Sequence, residues 1–406
     1  MASPSAAPAL PDEMLVEIFL RLDDPADLAR ASAACATFRR LISGRAFLRR
    51  IRARHAPPLL GLIGHFASPC GRFLPAEPPH CSARAARAVQ QGADFAFSFL
   101  PAPPAGSRWL PLDVRDGRFL VSTSSAPGGD VVVCDPLHRR YVRIPSIPDG
   151  LTSDVRRICR RLHFDYFLAP SAGEEGVDSS FGVVCRAWTR HVSMVAVFVF
   201  SSSAGSWRAV TIDGNRPRFT LCRRQYAHGC FYWFTSLRGK LLMLNARDME
   251  ISIVEFPQSC FGIGQHAIVE AGEGRLGLFT IGDCNLDLHS KAIGAGGSAG
   301  DNEWRHDKTI PLLPRYKWDI INAAEGFLLL KGFPLDHYPP RWIPTEIPCF
   351  TLELKTLLLK RLCMLHLSVK LPAAVITSKH MKWTRISQEW GQSRRAASVV
   401  NMCLMP

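Results

Sequence analysis

The hydrophobic period of this chain changes once, and that change limits what it can fold into. Between Leu10 and Ile42 the apolar residues recur at steps of three and four. From Asp94 they come instead in short runs of Phe, Val, Ile, Leu and Trp, divided by Gly, Pro, Asp and Arg. The first pattern is that of amphipathic helices, the second that of many strands joined by turns. A helical N-terminal piece followed by an all-β domain is therefore predicted. At 406 residues, 47% apolar and 21% charged, the chain has the material for more than one packed core.

The helical piece carries its own punctuation. Pro11 suits the first position of a helix, where its missing N–H is not needed. Asp12 and Glu13 place negative charge at the positive end of the helix dipole. Leu10, Met14, Leu15, Ile18, Phe19 and Leu22 share one face. Asp24 can cap a second helix, with Pro25 as its first residue and Asp27 in its first turn. Leu28, Ala31, Cys35, Phe38 and Leu41 continue a helical stripe, and Gly44 is a stop signal. Some forty residues bury too little to be stable unaided, yet this piece is rich in large apolar side chains. The rest of the chain, or another protein, has to cover it.

In order, Leu10-Pro11, Glu17-Ile18, Arg21-Leu22, Pro25, Asp27-Leu28 and Cys35 make this stretch resemble the F-box, a module that docks on the Skp1 subunit of cullin-based ubiquitin ligases. Phe38 stands where the family usually has Trp, and Asp23 and Asp24 stand where many members have proline. The resemblance implies a three-helix module over 10–55. It also implies adaptor contact through Leu10, Pro11, Leu15, Ile18, Leu22, Pro25 and Leu28, some of which must hold the helices together as well.

Within the β region a unit recurs: a glycine turn, an apolar strand, a polar turn and a second strand. It is seen at Gly117-Arg118-Phe119-Leu120-Val121, Gly239-Lys240-Leu241-Leu242-Met243-Leu244 and Gly326-Phe327-Leu328-Leu329-Leu330, with a partial copy from Gly274. These three glycines lie 122 and 87 residues apart, near multiples of a propeller blade of about 42 residues. Trp188, Trp207, Trp233 and Trp304 are candidates to pack between blades. Asp94-Phe95-Ala96-Phe97-Ser98-Phe99-Leu100-Pro101, Arg115-Asp116-Gly117-Arg118, Cys134-Asp135-Pro136-Leu137 and His228-Gly229-Cys230-Phe231-Tyr232-Trp233 resemble the associated domain behind the F-box in a large group of plant F-box proteins. The expected fold class is multidomain, α plus all-β: a three-helix F-box followed by a degenerate β-propeller-like domain. Its expected parts are a disordered leader at 1–9, the F-box at 10–55, a linker with a short helix at 56–93, a substrate-binding β domain at 94–368 and a basic tail at 369–406.

Catalytic, metal and cofactor chemistry finds little support. The thirteen cysteines include no C-x-x-C and the histidines no ligand spacing, so neither metal nor cofactor is expected. Gly296-Gly297-Ser298-Ala299-Gly300 matches a nucleophile elbow, but its neighbours read as a flexible loop rather than strand and helix. Gly262-Ile263-Gly264-Gln265-His266-Ala267 matches a dinucleotide fingerprint, but Pro257 interrupts the strand that should precede it. Met1 to Ala9 has no apolar core for a secretory signal, and the apolar run Val192 to Phe200 is too short to span a bilayer. Reduced thiols and a cytoplasmic or nuclear site are expected. The net charge of +14 includes seven arginines between Arg39 and Arg54. These are not interleaved with aromatics, which disfavours nucleic acid and favours a solvated helix face. The resulting reading is a non-catalytic substrate receptor of an SCF-type ubiquitin ligase. It would bind a Skp1-like adaptor directly, a cullin indirectly and a protein substrate of unknown identity. A non-ligase F-box scaffold, a basic nucleic-acid-associated protein and a hydrolase at Ser298 are the alternatives.

Overall fold

Pro11, expected as the first helical residue, stands one place earlier, at the N-cap. It sits extended (φ −55°, ψ 148°), and its carbonyl accepts a hydrogen bond from the Leu15 N–H at 3.1 Å, opening α1 (Asp12–Phe19). Three more helices follow: α2 (Pro25–Ala34), α3 (Ala36–Ile42) and α4 (Arg45–Arg54). The expected count of three is thus exceeded, because the stripe from Leu28 to Leu41 is broken at Cys35. There the backbone is extended (φ −157°), and the thiol sulfur accepts the Phe38 N–H at 3.4 Å, capping a new helix. The computed structural model describes residues 10–22, 25–54, 58–64, 73–115, 117–123, 129–158, 162–170, 180–189, 196–210, 221–235, 239–257, 260, 265–272, 274–293, 303–324, 326–335, 346–366 and 383–387.

After the helices come β1 (Leu59–Gly64), β2 (Phe73–Pro75) and α5 (Ala83–Gly92). The stretch expected as a linker with a short helix therefore holds two paired strands as well. Blade one is β3 (Leu110–Arg115), β4 (Arg118–Ser122), β5 (Val131–Asp135) and β6 (Arg140–Ile144), followed by α6 (Asp149–Ile158). Blade two is β7 (His163–Leu168), β8 (Gly182–Trp188), β9 (Ala196–Ser201) and β10 (Ser206–Val210). Blade three is β11 (Leu221–Ala227), β12 (Cys230–Thr235), β13 (Lys240–Asn245) and β14 (Ile251–Glu255). Blade four is β15 (His266–Glu270), β16 (Arg275–Ile281), β17 (Asn285–Ala292) and β18 (Arg305–Pro311). Blade five is β19 (Tyr316–Ala324), β20 (Phe327–Pro334), β21 (Glu346–Glu353) and β22 (Leu359–His366). Each is an antiparallel meander with strands in sequence order, so only hairpin connections are needed within a blade.

A three-stranded sheet, ordered β2-β1-β23, completes the set, with β23 (Trp383–Ser387) supplied from the segment expected as a basic tail. It lies between blades five and one, since β23 runs against both β19 and β3. The cores confirm the ring. One cluster joins blades one and two, another blades two and three, a third blades three and four, and a fourth blades four and five. The fifth unites Leu59, Leu62 and Ile63 of β1 with blade one (Phe119, Val132) and blade five (Leu329, Leu362). Of the proposed inter-blade tryptophans, Trp207 packs between blades one and two and Trp233 between blades two and three. Trp304 packs between blades three and four, and Trp188 stacks on His163 at 4.6 Å.

Two details correct the repeat. Gly117, Gly274 and Gly326 lead into second strands, whereas Gly239 leads into β13, the third strand of its blade. The equivalent glycine of blade three is Gly229, which with His228 (φ 46° and 75°) forms the two-residue turn of the β11–β12 hairpin. Inner strands begin at 110, 163, 221, 266 and 316, so no 42-residue period exists. The motifs singled out by resemblance are turn caps. Asp94 accepts the N–H groups of Ala96 and Ser98 at 3.0 and 3.1 Å, and Asp135 accepts those of Leu137 and His138, both at 3.1 Å.

Candidate functional site

The helical unit has an interior of its own. Phe19, Leu20, Leu28, Ile42, Phe47, Leu48 and Ile51 are buried, with Leu15, Val16, Leu22 and Phe38 packed against them. Phe19 lies at its centre, edge-on to Phe38 at 5.0 Å and to Phe47 at 6.5 Å. Phe38 thus keeps an aromatic contact where Trp is usual. Two arginines of the basic cluster clamp α1 from outside: Arg40 bonds Asp12 at 2.7 Å, and Arg50 pairs with Glu17. The Arg50 guanidinium holds the Glu17 carboxyl below the usual carboxylate range. These are exposed pairs, which orient more than they stabilise.

The seven residues expected to meet an adaptor fall into distinct places. Leu28 is 4% exposed and belongs to the interior. Leu15 and Leu22 are half-buried against it. Leu10 and Ile18 are 51% and 44% exposed, and Pro11 is exposed beside Leu10. Pro25 opens α2, and its side chain lies outside what is described. One turn before Ile18 on α1 stands Met14, 53% exposed, while Leu10 precedes the helix across the extended Pro11. Met14 is not among the contacts that the resemblance implies. Its signal was in the sequence, in its helical spacing to Ile18. Met14 and Ile18 form an uncovered apolar strip on a helix whose other face is fully used.

In the β domain the charged residues cluster where inner strands meet. Asp113 on β3 is 7% exposed. Its carboxylate accepts the Leu168 N–H of blade two at 2.9 Å and pairs with Arg224 of blade three at 2.9 Å. Arg224 also lies over the Phe167 ring at 4.3 Å. Arg186 of blade two bonds Asp165 at 3.2 Å, and burial lowers the pKa of its guanidinium. One carboxylate thus ties three consecutive blades, which reads as a fastening.

The catalytic motifs gain nothing. Ser298 and its glycines, and Gly262 and Gly264, lie outside the described residues. His266 and Ala267 lie in strand β15, where a dinucleotide fingerprint would place a helix start. His80 is buried, accepts the Ser82 N–H through Nδ1 and meets Thr351 Oγ1 through Nε2 at 3.2 Å. Cys81 beside it is exposed. Among the described residues no three His, Cys, Asp or Glu could hold a metal, and no helix is long and apolar enough to cross a membrane.

Comparison with known proteins follows the same division. Residues 7–54 match the F-box-like family, and residues 104–258 match the β-propeller family of F-box protein At3g26010-like proteins. The second match ends just past β14, so it covers blades one to three. No curated protein matches the chain. Solved structures with similarity include YCF48 bound to D1 peptide (9% identity, TM-score 0.34, 62% of this chain and 66% of that one). Another is a prolyl endopeptidase (11%, 0.32, 64% and 42%). A third is the β-propeller domain of Myceliophteria thermophila Cps50, or Swd1 (12%, 0.33, 63% and 70%). The chain spans less than two thirds of the first two. Both family matches fall on units seen in the fold: residues 7–54 are an F-box-like domain, and residues 104–258, blades one to three of the propeller behind it, are of the F-box protein At3g26010-like kind.

Proposed function

We propose that the chain is a substrate-recognition subunit of an SCF-type ubiquitin ligase, in a plant cell's cytoplasm or nucleus. Leu10, Met14 and Ile18, with Pro11, dock on a Skp1-like adaptor, which brings the cullin. The propeller holds a protein substrate. The chain performs no chemistry; it raises the local concentration of substrate at the ubiquitin-carrying enzyme. The observation that supports this reading is a group of three large apolar side chains about half exposed, Met14 and Ile18 on α1 and Leu10 just before it, on a unit that already has a complete core behind them. Leu15 and Leu22 then serve the core first and border the interface, and Leu28 acts only through the fold.

Burying the remaining half of each side chain is worth about 1 kcal/mol, so the group contributes roughly 3 kcal/mol to docking. The triple change Leu10→Ala, Met14→Ala and Ile18→Ala is expected to weaken binding of a purified Skp1-like protein about 100-fold, with helical circular dichroism and melting unchanged. Leu28→Ala is expected to melt the helical unit instead, costing about 2–5 kcal/mol. Undiminished adaptor binding by the triple variant sinks the docking surface. Adaptor binding without cullin recruitment in the reconstituted complex would favour a scaffold over a ligase subunit.

A further inference from the structure

In each blade the fourth strand forms the outer edge, and the five edges are not alike. On β10 Trp207 is buried, on β14 Ile251, and on β22 Leu362, Cys363 and Leu365. β18 is exposed but its charges are mixed and mutually paired: Arg305 bonds Asp307 at 3.0 Å and His306 meets Asp287 at 3.4 Å. β6 shares the exposure of β18 but carries positive charge alone. Arg140, Tyr141, Val142 and Arg143 are all exposed, on both faces of the strand, and only Ile144 at its end is buried. Tyr141 and Val142 stand 42% and 47% exposed. The strand begins from Arg139, itself exposed, in the left-handed conformation (φ 53°).

The arginines of β6 are also unlike most others in the propeller. Arg118 lies over Phe181, Arg186 bonds Asp165, Arg224 bonds Asp113, and Arg275 bonds Ser290. Among the described residues, the side chains of Arg140 and Arg143 make no hydrogen bond, ion pair or ring contact. An open strand edge presents backbone N–H and C=O groups to any extended chain, and same-sign charge beside it decides which chain is admitted. Two β6 edges repel each other, as does any basic segment. An acidic one is attracted.

We infer that β6 is a docking edge for an extended acidic segment of a protein partner, which adds as a fifth strand to blade one. Main-chain hydrogen bonds to the edge supply affinity, and each face of the strand offers one cation and one apolar side chain, Arg140 with Val142 on one and Arg143 with Tyr141 on the other, so each face receives one carboxylate and one apolar side chain. Nucleic acid fits less well, because it has no strand-like backbone to match the edge and no use for Val142. This deepens the receptor reading and rests on it only for calling the partner a substrate; binding to the edge is measured on the purified chain without adaptor.

The probe is a fluorescein-labelled octapeptide, two repeats of Glu-Val-Val-Glu, which puts one Glu and one Val of each repeat on either face; it is titrated with the full-length chain and followed by anisotropy. Its counterpart with Lys in place of Glu and a single-stranded DNA serve as competitors. Arg140→Glu with Arg143→Glu is expected to weaken the acidic peptide at least about tenfold, and Tyr141→Ala with Val142→Ala to weaken it several-fold. Both pairs are exposed, so both variants are expected to keep wild-type circular dichroism and adaptor binding. Amides of residues 140–143 are expected to gain hydrogen-exchange protection when peptide is bound. Equal binding by wild type and the Glu variant overturns the inference, as does binding without protection of β6. Loss limited to the charge variant, with the Ala pair unaffected, leaves an ion-exchange surface and also overturns it. DNA bound more tightly than peptide, and lost in the Glu variant, assigns the patch to nucleic acid. Failure of adaptor docking in these same samples bears on α1 alone.

Discussion

Removing the Asp113 carboxylate tests whether one side chain fastens three blades. Asp113→Ala leaves the Arg224 guanidinium without its 2.9 Å partner and the Leu168 N–H without an acceptor. The side chains of Asp113 and Arg224 are 10% and 18% exposed, so water relieves little of the loss. Breaking a buried pair from one side costs about 3–5 kcal/mol, and an orphaned buried N–H about 1–3 kcal/mol. The two overlap, and Arg224 keeps its contact with Phe167, so about 3–5 kcal/mol is expected in total. Asp113→Asn retains one oxygen for the Leu168 N–H and is expected to cost roughly half as much. The assay is urea unfolding of the full chain followed by tryptophan fluorescence, with helical circular dichroism recorded in parallel to separate the N-terminal unit. A double-mutant cycle with Arg224→Ala isolates the pair; coupling of about 1 kcal/mol or more is expected. A loss below about 0.5 kcal/mol for Asp113→Ala, or strictly additive effects in the cycle, would refute the fastening.

Two further predictions concern the closing sheet and its surroundings. Burial pushes the His80 imidazole down to about 4, well below its ordinary value near 6.5. The folded protein therefore keeps it neutral while the unfolded chain charges near pH 6.5. Its stabilisation is complete above pH 6.5 and is lost as the pH falls toward 4, by about 1–3 kcal/mol after allowance for solvent screening. His80→Gln is expected to flatten that part of the stability–pH curve, measured by urea midpoints, and an unchanged slope counts against it. Gly61 lies so close to β2 that an added Cβ would come 2.1 Å from the Leu74 carbonyl oxygen. Gly61→Ala is expected to lower stability by about 2–3 kcal/mol by forcing β1 and β2 apart. Gly229→Ala, with open space but φ of 75°, is expected to cost only about 1 kcal/mol; equal losses in thermal melts would contradict the steric argument.

The N-terminal unit was legible because helix grammar is local. Pro11, the acidic first turn and the three- and four-residue spacing act within a few residues of themselves, and the structure opens the helix one place after Pro11. The break at Cys35 was missed because its cause is a backbone N–H accepted by a thiol, a weak signal in a residue otherwise read as core. The blade register was not legible for a different reason. A hairpin that needs positive φ takes glycine whichever pair of strands it joins, so Gly239 (φ 76°) looks like Gly117 (φ 70°). Only pairing distinguishes second from third strands, and pairing is a property of the fold. Leu59-Leu60-Gly61-Leu62-Ile63 was hidden in the same way. Flanked by prolines it reads as an interruption, yet it pairs with Phe73–Pro75 nearby and with a strand some three hundred residues on.

The division of α1 between core and partner shows why composition alone left it open. Met14, Leu15, Val16, Ile18 and Phe19 are all apolar, and at about 100° per residue they spread over about 200° of the helix circumference. A helix so broad in its apolar surface cannot be satisfied by one neighbour. Burial decides the matter: Phe19 and Leu20 turn into the helical core beside Phe38 and Phe47, which leaves Met14 and Ile18 outward. Arg40 and Arg50 hold Asp12 and Glu17 from outside in that orientation. The basic cluster therefore has a structural duty that its charge did not suggest. The guanidiniums argued above to meet an acidic ligand are those of Arg140 and Arg143 on β6.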